Sequence, residues 1–130
     1  MKTKLAKEII AKKLSKDYNL PSDDVLKAYF MEGFYYICAK CEPQILTKTL
    51  RENHEVLRSL KNGAMIIVPD EPDFNDENEH LMIDEELSFA LINYVCFLIT
   101  KSEEAKYYKL CNEIINDFIA NDGKDKEYVL

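Results

Sequence analysis

The stretch that most restricts the fold runs from Ile83 to Asp122 and reads IDEELSFALINYVCFLITKSEEAKYYKLCNEIINDFIAND. It predicts two helices joined by a tight turn. In the first, Leu87, Ala90, Leu91, Tyr94, Val95 and Leu98 recur at spacings of three and four, which is one helical face. Phe89, Ile92, Cys96, Phe97 and Ile99 cover much of the rest. A helix apolar nearly all round must be buried, in its own core or against partners. It is too short and too closely flanked by charge to be read as a membrane span. Asp84 is placed to cap its start, and Glu85 and Glu86 suit the helix dipole there. The turn falls at Thr100-Lys101-Ser102, with Ser102 capping the second helix and Glu103 and Glu104 in its first turn. Ala105, Tyr108, Cys111, Ile115, Phe118 and Ile119 make the expected buried stripe, and Gly123 ends the helix. So short a connection forces the two helices antiparallel and adjacent.

Such a hairpin needs apolar surface to pack against, and the preceding sequence supplies it. Ser22 or Asp23 caps a helix running to about Cys41, with Val25, Leu26, Tyr29, Phe30, Phe34, Ile37, Cys38 and Cys41 as its apolar content. Gly33 in mid-helix costs about 1 kcal/mol against alanine, which marks a close helix–helix approach. The aromatic run from Tyr29 to Tyr36 is read as core packing; stacking on nucleobases would need a basic surface, and the net charge is −7. Ahead of it, Lys2 to Asp17 predicts an amphipathic helix with Leu5, Ile9 or Ile10, and Leu14 on one side. Lys2, Lys4, Lys7, Lys12, Lys13 and Lys16 crowd the rest, either as a solvated face or as a docking surface for an acidic partner. A membrane-surface helix would want larger apolar anchors. No apolar segment follows the first lysines in the manner of a signal peptide, and the four scattered cysteines are expected to be reduced thiols.

Between the helices the pattern changes. Ile45, Thr47 and Thr49 alternate with Leu46, Lys48 and Leu50, a weak strand signal, and Ala64 to Pro69 is short, β-branched and apolar. Lys61-Asn62-Gly63 is a good turn. A small β element is therefore expected, with a hairpin turning at Asn62-Gly63 as its simplest form. Asp70 to His80 (DEPDFNDENEH) is an acidic, proline-broken loop. Phe74 within it is expected to be an exposed aromatic that anchors an interface. The chain closes on Lys124 to Leu130, where Tyr128, Val129 and Leu130 form an apolar tip, read as a frayed end or as an arm that docks on a neighbour.

Together these readings give a single domain over residues 1–130. It is mainly α, a helical bundle with a C-terminal antiparallel helical hairpin and a small inserted β element. Its parts are a basic N-terminal helix (1–20), a second helix (22–42), the β element (44–69), the acidic loop (70–82), the hairpin (83–122) and the C-terminal arm (123–130). With 47% apolar residues the chain can fill a core, and three glycines and four prolines favour helix over a turn-rich β fold.

Motifs for chemistry are sparse. Cys38-Ala39-Lys40-Cys41 has the spacing of a zinc pair but needs two more ligands, for which Cys96, Cys111, His54 and His80 are the candidates. Core cysteines are the simpler reading, and a thioredoxin-like role would want a strand before the motif rather than a helix. Asp73, Asn75, Glu77 and Asp84 loosely match a calcium loop, with Asn78 where glycine belongs. Nucleophile-elbow, phosphate-loop and dinucleotide glycine patterns are absent from the sequence, so no catalysis and no cofactor is expected.

The C-terminal part, roughly residues 64 to 120, resembles the small head–tail connector (adaptor, head-completion) proteins of tailed bacteriophages. The residues that carry the resemblance are the apolar strand ending in proline (Ile66-Ile67-Val68-Pro69), the acidic opening Asp84-Glu85-Glu86, and Tyr94-Val95 in mid-helix. After the turn, Glu103, Ala105, Tyr107, Tyr108 and Ile115 complete it. The resemblance implies a structural virion protein of the head–tail neck, in a ring of generally twelve subunits that joins the portal to the tail, with DNA passing through. Crass-like phages of gut bacteria are one source it suggests. An acidic wall avoids gripping passing DNA. Lys12, Lys13 and Lys16, Phe74, and Tyr128, Val129 and Leu130 are then the expected interface residues. The rival expectation is a small cytoplasmic helical regulator or protein-binding module, and a more distant third is a zinc or redox protein using Cys38 and Cys41.

Overall fold

The computed structural model describes residues 1–129, with side chains to residue 121. The described residues form four helices, α1 (Thr3–Lys13), α2 (Asp23–Lys40), α3 (Ser88–Ile99) and α4 (Ala105–Val129). Three short strands, β1 (Thr47–Lys48), β2 (Val56–Ser59) and β3 (Met65–Ile67), lie between α2 and α3. The fold is thus mainly α with a small β element, as the periodicity predicts.

The all-round apolar helix takes the central position. Nine of the twelve residues of α3 are buried, and α1, α2 and α4 all pack on it. Leu91, Ile92, Val95 and Cys96 meet Leu26, Phe30, Phe34 and Ile37 of α2, Ala6 and Ile10 of α1, and Tyr107, Cys111 and Ile115 of α4 in one core. Gly33 is where α2 comes closest: a Cβ there would stand 2.6 Å from Leu91 Cδ1 and 3.4 Å from Tyr94 Cδ1. Ser22 caps α2, its hydroxyl accepting from the Val25 N–H at 3.5 Å.

The α3–α4 turn departs from the predicted cap. Thr100 closes α3, the Lys101 N–H bonds Leu98 O, and the Ser102 N–H bonds Phe97 O. That is the paired 5→2 and 6→1 bonding of a Schellman close, built here without glycine: Lys101 and Ser102 have φ of 53° and 66°. Ser102 therefore ends α3 rather than capping α4, which starts at Ala105. On α4 the buried stripe is Tyr107, Cys111 and Ile115, while Ala105, Tyr108 and Ile119 are exposed, contrary to the predicted phase. The helix also runs on through Gly123 to Val129, since one glycine inside a helix costs only about 1 kcal/mol.

The strands form an antiparallel sheet in the order β1-β3-β2. The β2–β3 hairpin turns at Asn62-Gly63 as predicted, with Gly63 at φ 88° and Asn62 Oδ1 accepting from the Ala64 N–H. Leu46, Ile66 and Ile67 form a second buried cluster, to which α2 adds Cys38. Two polar clamps tie this leaf to the helices. Arg58 donates Nε to Cys38 O at 2.9 Å and Nη2 to Cys41 O at 3.3 Å, capping α2. Asp84 accepts from the Gln44 and Ile45 N–H groups at 2.7 and 2.8 Å. Its carboxylate makes no capping bond to the 3₁₀ turn Glu85–Leu87 that leads into α3, so the predicted N-cap is instead a long-range staple.

Candidate functional site

Lys12, Lys13 and Lys16 lie at or just beyond one end of α1 and the loop that holds Phe74 meets the other, so the surface is best followed along that helix. Thr3, Ala6 and Ile10 bury one stripe of α1. Its first residue is tied to the acidic loop: the Thr3 N–H bonds Glu79 O at 3.0 Å and the Leu81 N–H bonds Met1 O at 2.9 Å, an antiparallel bridge around Lys2 and His80. The Met1 ammonium pairs with Glu85. Lys4 reaches Glu77 at 3.4 Å and Lys7 reaches Asp23 at 2.8 Å. Only Lys4–Glu77 reaches the loop, and both its side chains are exposed, so it orients the loop more than it stabilises it.

The far end of α1 differs. Lys12, Lys13 and Lys16 are exposed, and among the described residues none of them forms an ion pair. The backbone there is fixed by the Tyr107 hydroxyl, which donates to Lys13 O at 2.9 Å. The basic lysines and the acidic loop thus sit at opposite ends of one helix, roughly 15 Å apart at 1.5 Å per residue. At the near end Lys4 and Lys7 are paired within the chain, whereas Lys12, Lys13 and Lys16 at the far end are left to solvent.

The acidic loop is held by its own backbone. Asp73 Oδ1 accepts from Asn75 N–H, Asp76 Oδ1 from Asn78 N–H, and Glu79 Oε2 from Asp73 N–H, at 2.8–2.9 Å. Phe74 is its anchor, but an inward one. The ring is 4% exposed, packs edge-on against Phe30 at 5.4 Å between centroids, and has Lys7 Nζ 5.6 Å above it. The expectation of an exposed contact at Phe74 is therefore corrected: burying the ring offsets the entropy of ordering a polar loop. Beside the loop and the start of α1 lies a cleft of about 290 Å³. Phe34, Pro72, Leu81 and Met82 form its apolar side, and Asp70, Glu79, His80 and Thr3 its polar side. Nothing in the sequence signalled this cleft, because its walls come from three separate segments.

The calcium pattern is not assembled: Asp84 is buried in the staple to Gln44 and Ile45, and Asp73 is taken up by Asn75. Among the described residues no group of three or more His, Cys, Asp or Glu side chains is arranged to hold a metal. Cys38 and Cys41 are free and buried, as are Cys96 and Cys111. Burial pushes the thiols up, Cys38 to about 11 and Cys41, Cys96 and Cys111 to about 12. At pH 8, iodoacetamide is expected to leave all four unmodified in the folded protein and to modify all four in denaturant. The same shifts give a pH dependence. The folded chain keeps thiol protons that the unfolded chain releases near pH 9, so this stability is complete below pH 9 and is lost as pH rises towards 12. Rapid labelling of a folded-state thiol at pH 8 would overturn this.

The side chains of Tyr128 and Val129, and Leu130 altogether, lie outside the described residues. Among the described residues no helix is long and apolar enough to cross a membrane. No family model, no curated protein and no solved structure matches the chain.

Proposed function

We propose that this chain is a structural subunit of a phage head–tail neck, a ring-forming connector that joins the portal to the tail. The observation that carries the reading is the separation of charge along α1, with unpaired lysines at one end and the acidic loop at the other. A ring closed by rotation needs each subunit to present two unlike faces to its two neighbours, and complementary charge fixes their register. The central α3, gripped on all sides, gives such a subunit a rigid body. The residues of the connector resemblance also fall on coherent elements: Ile66 and Ile67 on β3, Tyr94 and Val95 on α3, and Ala105, Tyr107, Tyr108 and Ile115 on α4. The proposed setting is the virion neck, with the portal and a tail or neighbouring ring protein as partners.

Native mass spectrometry across a concentration series, with negative-stain images of the same samples, tests the reading. Closed rings of about twelve subunits are expected, alone or when portal protein is added. Reversing Lys12, Lys13 and Lys16 to glutamate is expected to weaken assembly without lowering the melting temperature, as is removal of Tyr128 to Leu130. A strict monomer that also ignores portal protein would favour the small helical binding module instead.

A further inference from the structure

The cleft beside the start of α1 has a shape and chemistry that match one kind of side chain. Its apolar side, Phe34, Pro72, Leu81 and Met82, can cover an aliphatic stem. Its polar side carries the Asp70 and Glu79 carboxylates, and among the described residues no cation pairs with either. Thr3 belongs to the same wall, and its Oγ1 is fully buried with no hydrogen-bond partner. A buried hydroxyl left unpaired is costly, so this wall carries an unmet polar group. Two carboxylates beside an apolar trough suit an ammonium group, which has three donors on a four-carbon stem.

We infer that the cleft receives a lysine of a second copy of the chain, presented from the far end of its α1 by Lys12, Lys13 or Lys16. This rests on the ring reading above and names the contact that would close it. The donor end is exposed, holds three lysines and no arginine, and is unpaired within its own chain. The acceptor end is at the opposite end of the same helix, so the contact is head-to-tail and repeats from subunit to subunit without using either face twice. Both partners are exposed before contact, so the pairing sets register and rate of encounter as much as affinity.

Isotope-mixed cross-linking tests this on the full chain. Equal amounts of unlabelled and ¹⁵N-labelled protein are mixed, allowed to exchange, and treated with a water-soluble carbodiimide. The reagent joins an amine to a neighbouring carboxylate as an amide and departs as its urea. Mixed-isotope peptides joining Lys12, Lys13 or Lys16 to Asp70 or Glu79 are the expected product. In parallel, Asp70→Asn with Glu79→Gln is expected to weaken self-association at least tenfold. Asp70→Lys with Glu79→Lys, mixed with Lys12, Lys13 and Lys16 all changed to glutamate, is expected to restore pairing between two chains that fail alone. If the wild type forms rings and the cleft variants assemble unchanged, or if the lysines cross-link elsewhere, the cleft inference falls while the ring reading stands. A wild type that stays monomeric at every concentration, with and without portal protein, removes both.

Discussion

Asp84→Ala is expected to destabilise the fold by about 3 to 6 kcal/mol, since hydrogen bonds to a charged acceptor are worth about 1.5–3 kcal/mol each and two are lost together. The side chain is 5% exposed and accepts from the Gln44 and Ile45 N–H groups at once. With alanine both donors lose this acceptor, and the start of the β leaf loses its tie to the segment leading into α3. Such a loss is a large part of the roughly 5–15 kcal/mol that holds a domain together. Asp84→Asn keeps one acceptor oxygen but turns an amide donor towards the second N–H, so it is expected to recover less than half of the loss. Urea unfolding followed by circular dichroism measures both. A change below about 1 kcal/mol for Asp84→Ala would mean that water replaces the carboxylate, and that the staple is dispensable.

Gly33→Val is expected to cost about 3 kcal/mol, at the upper end of the usual penalty for overpacking. The reason is geometric. The new Cβ would sit 2.6 Å from Leu91 Cδ1, and Leu91 is wholly buried in the most enclosed helix of the protein. Gly33→Ala gains about 1 kcal/mol of helix propensity but meets the same atom, so it too is expected to be net destabilising. A double-mutant cycle separates these effects. Leu91→Ala alone should cost about 2–5 kcal/mol, yet in the Gly33→Ala background the two losses should sum to less than their separate values. Strict additivity would show that α2 and α3 do not meet at this point.

What could be read beforehand divides along physical lines. The buried α3, the cap at Ser22, the close approach at Gly33 and the turn at Asn62-Gly63 were all legible. Each depends on a residue type whose effect is local or periodic. The phase of α4 was not, because Tyr107 and Tyr108 both continue a stripe through Cys111 and Ile115, one at a spacing of four and the other at three. Only packing against α3, with the Tyr107 hydroxyl bound to Lys13 O, decides between them. Phe74 carried no period at all; its burial depends on Phe30 and Lys7, which are distant in sequence. Asp84 misled for the opposite reason. A local rule made it a helix cap, while its partners lie forty residues earlier. Of the candidate interface, the lysines at the end of α1 were placed correctly on an exposed surface, but the cleft could not be seen, since no single segment contains it.

The β leaf has a consequence for how the molecule comes apart. It shares one fully buried helical side chain, Cys38, with its own small cluster, and is otherwise clamped by Arg58 and Asp84. Polar clamps release with little exposure of apolar surface, whereas separating α3 from its neighbours opens the main core. Opening free energy therefore follows two scales in one short chain, with a lower one for the leaf and a higher one for the bundle. Any slow labelling of the folded chain is therefore expected to reach Cys38 before Cys96 and Cys111, because opening the leaf bares the first and only opening the bundle bares the others.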